Sequence, residues 1–248
     1  MLRSILILLC SVSLSAYAST ETWNFKTGQT ATGANKLSLQ SSSGNSATLS
    51  GWSSNSSSAT STVRSANRVT LDSNWGVQLW NRNDSGSPSH AVDNTSGFDF
   101  ILLEFLQPVE LLSLTNSWTS GYSWVSVGAF AANPFAGGSV NWQQVANSAI
   151  QTASYKDTGI NTPYVFANNS SIEGTGITST FANYWLIGAY NPVFNGGNYG
   201  LGDNIKFASI TTKTFVPDNT DTPVQVPEPG TIALFSLGLI GLLYRRRA

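Results

Sequence analysis

Gly97-Phe98-Asp99-Phe100-Ile101-Leu102-Leu103-Glu104-Phe105 is apolar at both parities of a two-residue period until Glu104 interrupts it. A half-wetted strand would alternate, so this run belongs to a central strand covered on both faces. Pro108 lacks a ladder donor and punctuates the chain, which predicts Val109-Glu110-Leu111-Leu112-Ser113-Leu114 as a separate, neighbouring strand. Further out, Ser123-Trp124-Val125-Ser126-Val127-Gly128-Ala129-Phe130 puts Val125, Val127 and Ala129 on one face. Trp185-Leu186-Ile187-Gly188-Ala189-Tyr190 and Ile205-Lys206-Phe207-Ala208-Ser209-Ile210 add two more strands. No long stretch between Thr20 and Phe215 keeps a period of 3.6. The reading is an all-β fold, a single β-sandwich domain of jelly-roll type over residues 19–216.

Residues 38–62 are Ser/Thr/Gly-rich and read as a long loop, or as two short edge strands joined by turns. The sequons at Asn83 and Asn94 are chance in an Asn/Ser-rich chain. Residues 217–225 form a Pro- and Asp-containing linker that holds the C-terminal tail clear of the domain.

Both ends read as address labels. Arg3, the apolar run Ile5-Leu6-Ile7-Leu8-Leu9-Cys10 and the small-residue pattern Ala16-Tyr17-Ala18 describe a signal peptide over 1–18. Signal peptidase is then expected to cut between Ala18 and Ser19. Cys10 is the sole cysteine, and Leu9 before it does not suit a lipoprotein site. The mature chain therefore has no disulfide and no thiolate ligand.

At the far end Val226-Pro227-Glu228-Pro229-Gly230 cannot be helical. An apolar stretch, 231–244, comes next, and Arg245-Arg246-Arg247 closes it. As a helix its fourteen residues would reach roughly 21 Å, short of the about 30 Å of a bilayer core. Snorkelling arginines lengthen that reach and mark the cytoplasmic side as a stop-transfer signal. A short transmembrane helix behind a rigid motif suits transient retention.

Residues 226–248, with these three parts in this order, resemble the PEP-CTERM sorting signal. The resemblance implies a Gram-negative host whose exosortase, a membrane-embedded cysteine protease-like enzyme, recognises Pro227-Glu228-Pro229 and removes the tail. It also implies a membrane-anchored precursor passing through the inner membrane to the cell surface or extracellular matrix, in a host that produces extracellular polysaccharide. Within the domain, Asn81-Arg82-Asn83, the segment 86–94, Gly97-Phe98-Asp99-Phe100, Trp118, Trp185-Leu186-Ile187-Gly188-Ala189 and Gly202-Asp203-Asn204-Ile205-Lys206-Phe207 resemble a group of exosortase-dependent surface proteins. That likeness implies class and location, with no chemistry attached.

Loss of both ends takes four of the twelve basic residues and none of the thirteen acidic ones, so the net charge falls to −5. With no basic stripe, nucleic acid is not an expected partner. His90 is the only histidine, and no G-x-S-x-G elbow surrounds a serine, so a catalytic triad is not expected. Zinc lacks ligands. Calcium takes carboxylates and amides, and Asp84, Asp93, Asn94, Asp99 and Asp203 are its candidate donors. Glu104, Glu110, Glu173, Asp99 and Asp157 could supply a glycosidase pair, but no spacing selects two of them. Trp118-Thr119-Ser120-Gly121-Tyr122-Ser123-Trp124 is the best candidate for a loop presenting Trp118, Tyr122 and Trp124 to a glycan. The expectation is a non-enzymatic surface or matrix protein of a polysaccharide-rich envelope or biofilm, without a cofactor. The alternatives are a carbohydrate-binding module for the exopolysaccharide and, behind it, a glycan-active hydrolase.

Overall fold

The run at 97–105 opens a single 23-residue strand, Asp99–Gly121, around which the fold is organised. The structure, a computed structural model, describes residues 18–31, 35–81 and 90–215. The strands in chain order are β1 Thr20–Asn24, β2 Gln29–Thr30, β3 Lys36–Gln40, β4 Ser46–Ser54, β5 Val63–Ser65, β6 Arg68–Asp72 and β7 Gly76–Trp80. They continue with β8 Val92–Asp93, β9 Asp99–Gly121, β10 Val125–Phe130, β11 Gln151–Tyr155, β12 Tyr164–Val165, β13 Phe181–Ala189 and β14 Asp203–Thr214. A short helix, α1, spans Trp142–Asn147, and a 3₁₀ turn spans Phe166–Asn168.

All the strand pairs are antiparallel. The first half of β9 lies between β4 and β13, and β10 and then β11 lie outside β13. Its second half pairs with β14, which carries β1 on its far side. β9 thus passes from one layer of a sandwich-like arrangement into the other. A small sheet, β2-β6-β7, contributes Val69, Leu71, Val77 and Leu79 to the same core as Ile101, Leu103, Ile205 and Phe207.

The doubly apolar pattern of 98–105 is explained by what covers each face. Ile101, Leu103 and Phe105 point into the core between the layers. Phe98, Phe100 and Leu102 point the other way, into a second cluster with Phe130, Phe135, Trp142, Val145 and Phe194. Each such side chain fully removed from water stabilises the fold by about 1.5–3 kcal/mol. The buried indoles also keep polar partners: Trp142 Nε1 donates to Ser54 Oγ at 2.9 Å, and Trp185 Nε1 to the Val109 carbonyl at 3.0 Å.

Two expectations are corrected. Residues 97–105 and 109–114 are not neighbouring strands; they are successive parts of β9, which runs straight through Pro108. The proline is tolerated because β4 pairing ends at Phe105 and β14 pairing starts at Val109. On the β13 side the register slips over the same interval, between Ala182 and Tyr184. A residue without an N–H fits such an interruption, since no ladder bond is lost. Nor is 38–62 a loop or a pair of edge strands. β3 is an edge, but β4 is an interior nine-residue strand whose Ala47 and Leu49 enter the core.

Glycine 188 shows how tightly β13 and β9 are joined. A Cβ there would fall on the Asp99 carbonyl oxygen and within 2.5 Å of the Phe100 ring. Only glycine lets β13 lie flat under that ring.

Among the described residues no helix is long and apolar enough to cross a membrane. The apolar stretch 231–244, the linker, the sorting motif, the arginine cluster and residues 1–17 lie outside the described residues.

Candidate functional site: an aromatic surface held by Asn94 and Asp203

β9 ends at Gly121, whose φ of +79° turns the chain sharply where it meets the Gly202 carbonyl. The turn brings Tyr122 out to solvent, 54% exposed, with its ring 5.2 Å from that of Trp124. Tyr199, 41% exposed, packs edge-on against Trp124 at 5.3 Å. Behind them the buried Tyr190 meets Trp124 edge-on at 5.6 Å. The Lys156 ammonium lies 3.8 Å from the Tyr199 ring centre and 4.8 Å from that of Trp124. Trp124 Nε1 donates to Asp157 Oδ1 at 3.3 Å. The result is a group of three rings, Tyr122 and Tyr199 exposed and Trp124 half-buried between them, with one ammonium, one carboxylate and a phenol hydroxyl within reach.

This group is held from below by a buried polar lock. Trp124 N donates to Asp203 Oδ1 at 2.9 Å. Asn94 Nδ2 donates to Asp203 Oδ2 at 2.7 Å and to the Tyr190 carbonyl at 2.8 Å. Asn94 Oδ1 accepts from Gly202 N and Asp203 N at 2.8 and 2.9 Å. Both side chains are fully buried. Burial pushes the Asp203 carboxyl above its ordinary range, and the Trp124 N–H and the Asn94 amide pull back against that rise. Tyr190 is likewise pushed up by burial, so its hydroxyl stays protonated and donates to the Gly196 and Gly197 carbonyls. The same hydroxyl accepts from Tyr199 N at 3.2 Å, which fixes the loop carrying the exposed ring.

The sequence-derived candidates are thus regrouped. Tyr122 and Trp124 stand together, joined by Tyr199 and Lys156, which local spacing does not reveal. Trp118 lies apart, beside Lys206 on the outer face of β9 and β14. Of the calcium candidates, Asn94 and Asp203 form the lock. Asp93 Oδ1 accepts from Thr95 N at 2.9 Å and closes a turn. Asp99 is fully buried and accepts from Asn81 Nδ2 at 3.0–3.1 Å. Asp84 lies outside the described residues. Among the described residues no three His, Cys, Asp or Glu side chains gather as a metal would require.

The carboxylates considered for glycoside hydrolysis have other neighbours. Tyr184 donates to Glu104 at 3.3 Å and Ser179 N to Glu110 at 2.7 Å. Glu173 lies against Gly197. His90 stacks on Trp80 at 3.1 Å, and the Arg68 guanidinium sits 3.7 Å from the same indole ring.

Fold and surface together define an all-β domain that presents aromatic rings to solvent at one end of a sandwich. Residues 225–247 match the sequence model of the PEP-CTERM protein-sorting motif. Val226 to Gly230 and Arg245 to Arg247 all fall within that match. The motif supports an exosortase-sorted, exported surface protein made as a membrane-anchored precursor. No curated protein and no solved structure matches the chain.

Proposed function

We propose that the exported domain is a non-enzymatic component of a polysaccharide-rich envelope or biofilm, and that it holds polysaccharide through the Tyr122–Trp124–Tyr199 surface. The observation that carries this reading is the clustering of the exposed Tyr122 and Tyr199 rings against the half-buried Trp124 at one rim. Indole and phenol rings offer flat apolar platforms to sugar faces, while Lys156, Asp157 and the Tyr122 hydroxyl supply directional hydrogen bonds. The buried lock favours recognition with little motion, because the backbone carrying Trp124 and Tyr199 is fixed before any ligand arrives.

The test is co-sedimentation of the processed protein with the producing strain's own extracellular polysaccharide, with new reducing ends assayed in the same tube and calcium present or chelated. Binding without new ends is the expected result, reduced about tenfold by Tyr122→Ala, the order of one stacking contact. New reducing ends would replace this reading with a hydrolase. Neither binding nor cleavage would leave a coat protein without a glycan ligand.

A further inference from the structure

Glu21 is a buried carboxylate, 2% exposed, that the aromatic rim does not use. In the β1–β14 register it stands opposite Thr212, on the same inward side as Trp23, whose indole donates to Thr212 Oγ1 at 2.9 Å. Glu21 Oε1 accepts from Ser19 Oγ at 3.4 Å and from Asn45 Nδ2. Both donors are neutral, and Oε2 has neither a hydrogen-bond donor nor a cationic partner among the described residues. The carboxylate lines a cavity of about 180 Å³ together with Trp23, Asn45, Phe105, Val109 and Thr214. A carboxylate taken out of water is costly unless a positive charge meets it. Lys213 of β14 does not: it stands opposite Glu110 of β9, on the face turned away from Thr212 and the core residue Leu111.

Ser19 reaches two of the residues that line this cavity. Besides its hydroxyl bond to Glu21, its N–H donates to Thr214 Oγ1 at 3.1 Å, and its carbonyl accepts from Thr214 N at 3.0 Å. The Ser19 nitrogen is three bonds from the hydroxyl that touches Glu21, so it lies within about 7 Å of the carboxylate. We propose that Glu21 and its cavity are the binding site for the mature chain's own N-terminal ammonium, and that cleavage between Ala18 and Ser19 supplies the cation Glu21 lacks. Hydrolysis breaks the Ala18–Ser19 peptide bond, leaving the water's hydroxyl on the Ala18 carbonyl carbon and its hydrogen on the Ser19 nitrogen; the amine then takes a proton from solvent. A neutral amide with one N–H becomes an ammonium with three, one kept on Thr214 and the others able to turn toward Glu21 and the cavity. An opposite charge a few ångströms away holds the added proton more tightly. Because Thr214 ends β14 and Glu21 lies in β1, the pair strengthens the seam between these two strands once the leader is gone.

The test uses the exported protein recovered from the producing strain. Mass spectrometry reads its first residue, and pH-dependent acylation reads the proton affinity of its α-amine. The expected first residue is Ser19, with an α-amine that holds its proton about tenfold more tightly than the same amine in Glu21→Gln. Selective acetylation of that amine should lower the urea midpoint of the wild type and leave that of Glu21→Gln unchanged. The glutamine keeps the side chain's shape and an oxygen for Ser19 and Asn45, so the variant tests charge without emptying the site. A second form, the wild-type chain made to begin at Ala18, moves the ammonium one residue away and should lose the tight proton with Glu21 intact. An exported chain that starts elsewhere than Ser19 would overturn the proposal. Equal proton affinity in the chains beginning at Ser19 and at Ala18, or acetylation that costs wild type and Glu21→Gln the same stability, would overturn it as well.

Discussion

Asn94 and Asp203, 109 residues apart in sequence, are joined twice: Asn94 Nδ2 donates to Asp203 Oδ2 at 2.7 Å, and Asn94 Oδ1 accepts from Asp203 N at 2.9 Å. One amide thus fixes both the carboxylate and the backbone of the same residue. The carboxylate in turn accepts from Trp124 N. The segment before β9, the start of β14 and the start of β10 therefore meet at a single buried point.

Asn94→Ala removes the four bonds made by the Asn94 amide and leaves a buried carboxylate and several backbone groups short of partners. The expected loss is about 3 kcal/mol or more in urea unfolding. Trp124 fluorescence should shift toward that of a wetter ring under native conditions. A variant as stable as the wild type would show that water replaces the amide without penalty.

Asp203 also makes a prediction in pH. Burial raises its pKa above 3.8, so the folded chain holds the proton more tightly than the unfolded chain does. The stability arising from that difference is fully present below the ordinary carboxyl value and is lost as pH rises through the raised one. Asp203→Asn cannot titrate. The stability advantage of wild type over Asp203→Asn should therefore be greatest in acid and shrink as pH rises, read from urea midpoints across the acid range. A gap constant with pH would contradict the assignment.

Tyr164 is pushed up from 10.0 to about 12, chiefly by burial, with the charges of Tyr155 and Asp157 adding to it. Stability tied to its neutral form is complete below 10.0 and falls as pH climbs toward about 12. Phenolate absorbance should show a late component that Tyr164→Phe removes. Its persistence in the variant would assign that component to another tyrosine.

Gly188→Ala would force β13 away from Asp99 and Phe100. Overpacking against a backbone oxygen at the sheet centre should cost about 3 kcal/mol. Thermal unfolding measures it, and a change within error would mean that β9 yields at this crossing.

The architecture was legible where the chain makes its own argument. Phe98 to Phe105 could only be covered on both faces, and Val125, Val127 and Ala129 face the core as their alternation required. Pro108 misled because a proline breaks a ladder only where both neighbours are in register, and that depends on strands distant in sequence. β4 was hidden by composition: its serines and glycine carry little hydrophobic signal, although Ala47 and Leu49 do the packing. Helix α1 is too short for periodicity, yet its capping box, Asn141 with Gln144, was a readable start signal. At the site, Tyr122 and Trp124 are close in sequence and were visible. Tyr199, Lys156 and the Asn94–Asp203 lock come together only through the fold, so no local spacing could announce them.

β14 also gives the domain a polarity. Its last residue, Thr214, receives the Ser19 N–H on its hydroxyl at 3.1 Å and donates its own N–H to the Ser19 carbonyl at 3.0 Å, so the two ends of the described domain lie side by side. Its first residue, Asp203, supports the rings at the opposite end, roughly 35 Å away at the usual rise of a strand. Whatever is joined to the domain at either of these ends therefore begins at the pole far from the rings, and its attachment point leaves the residues that hold Trp124 untouched.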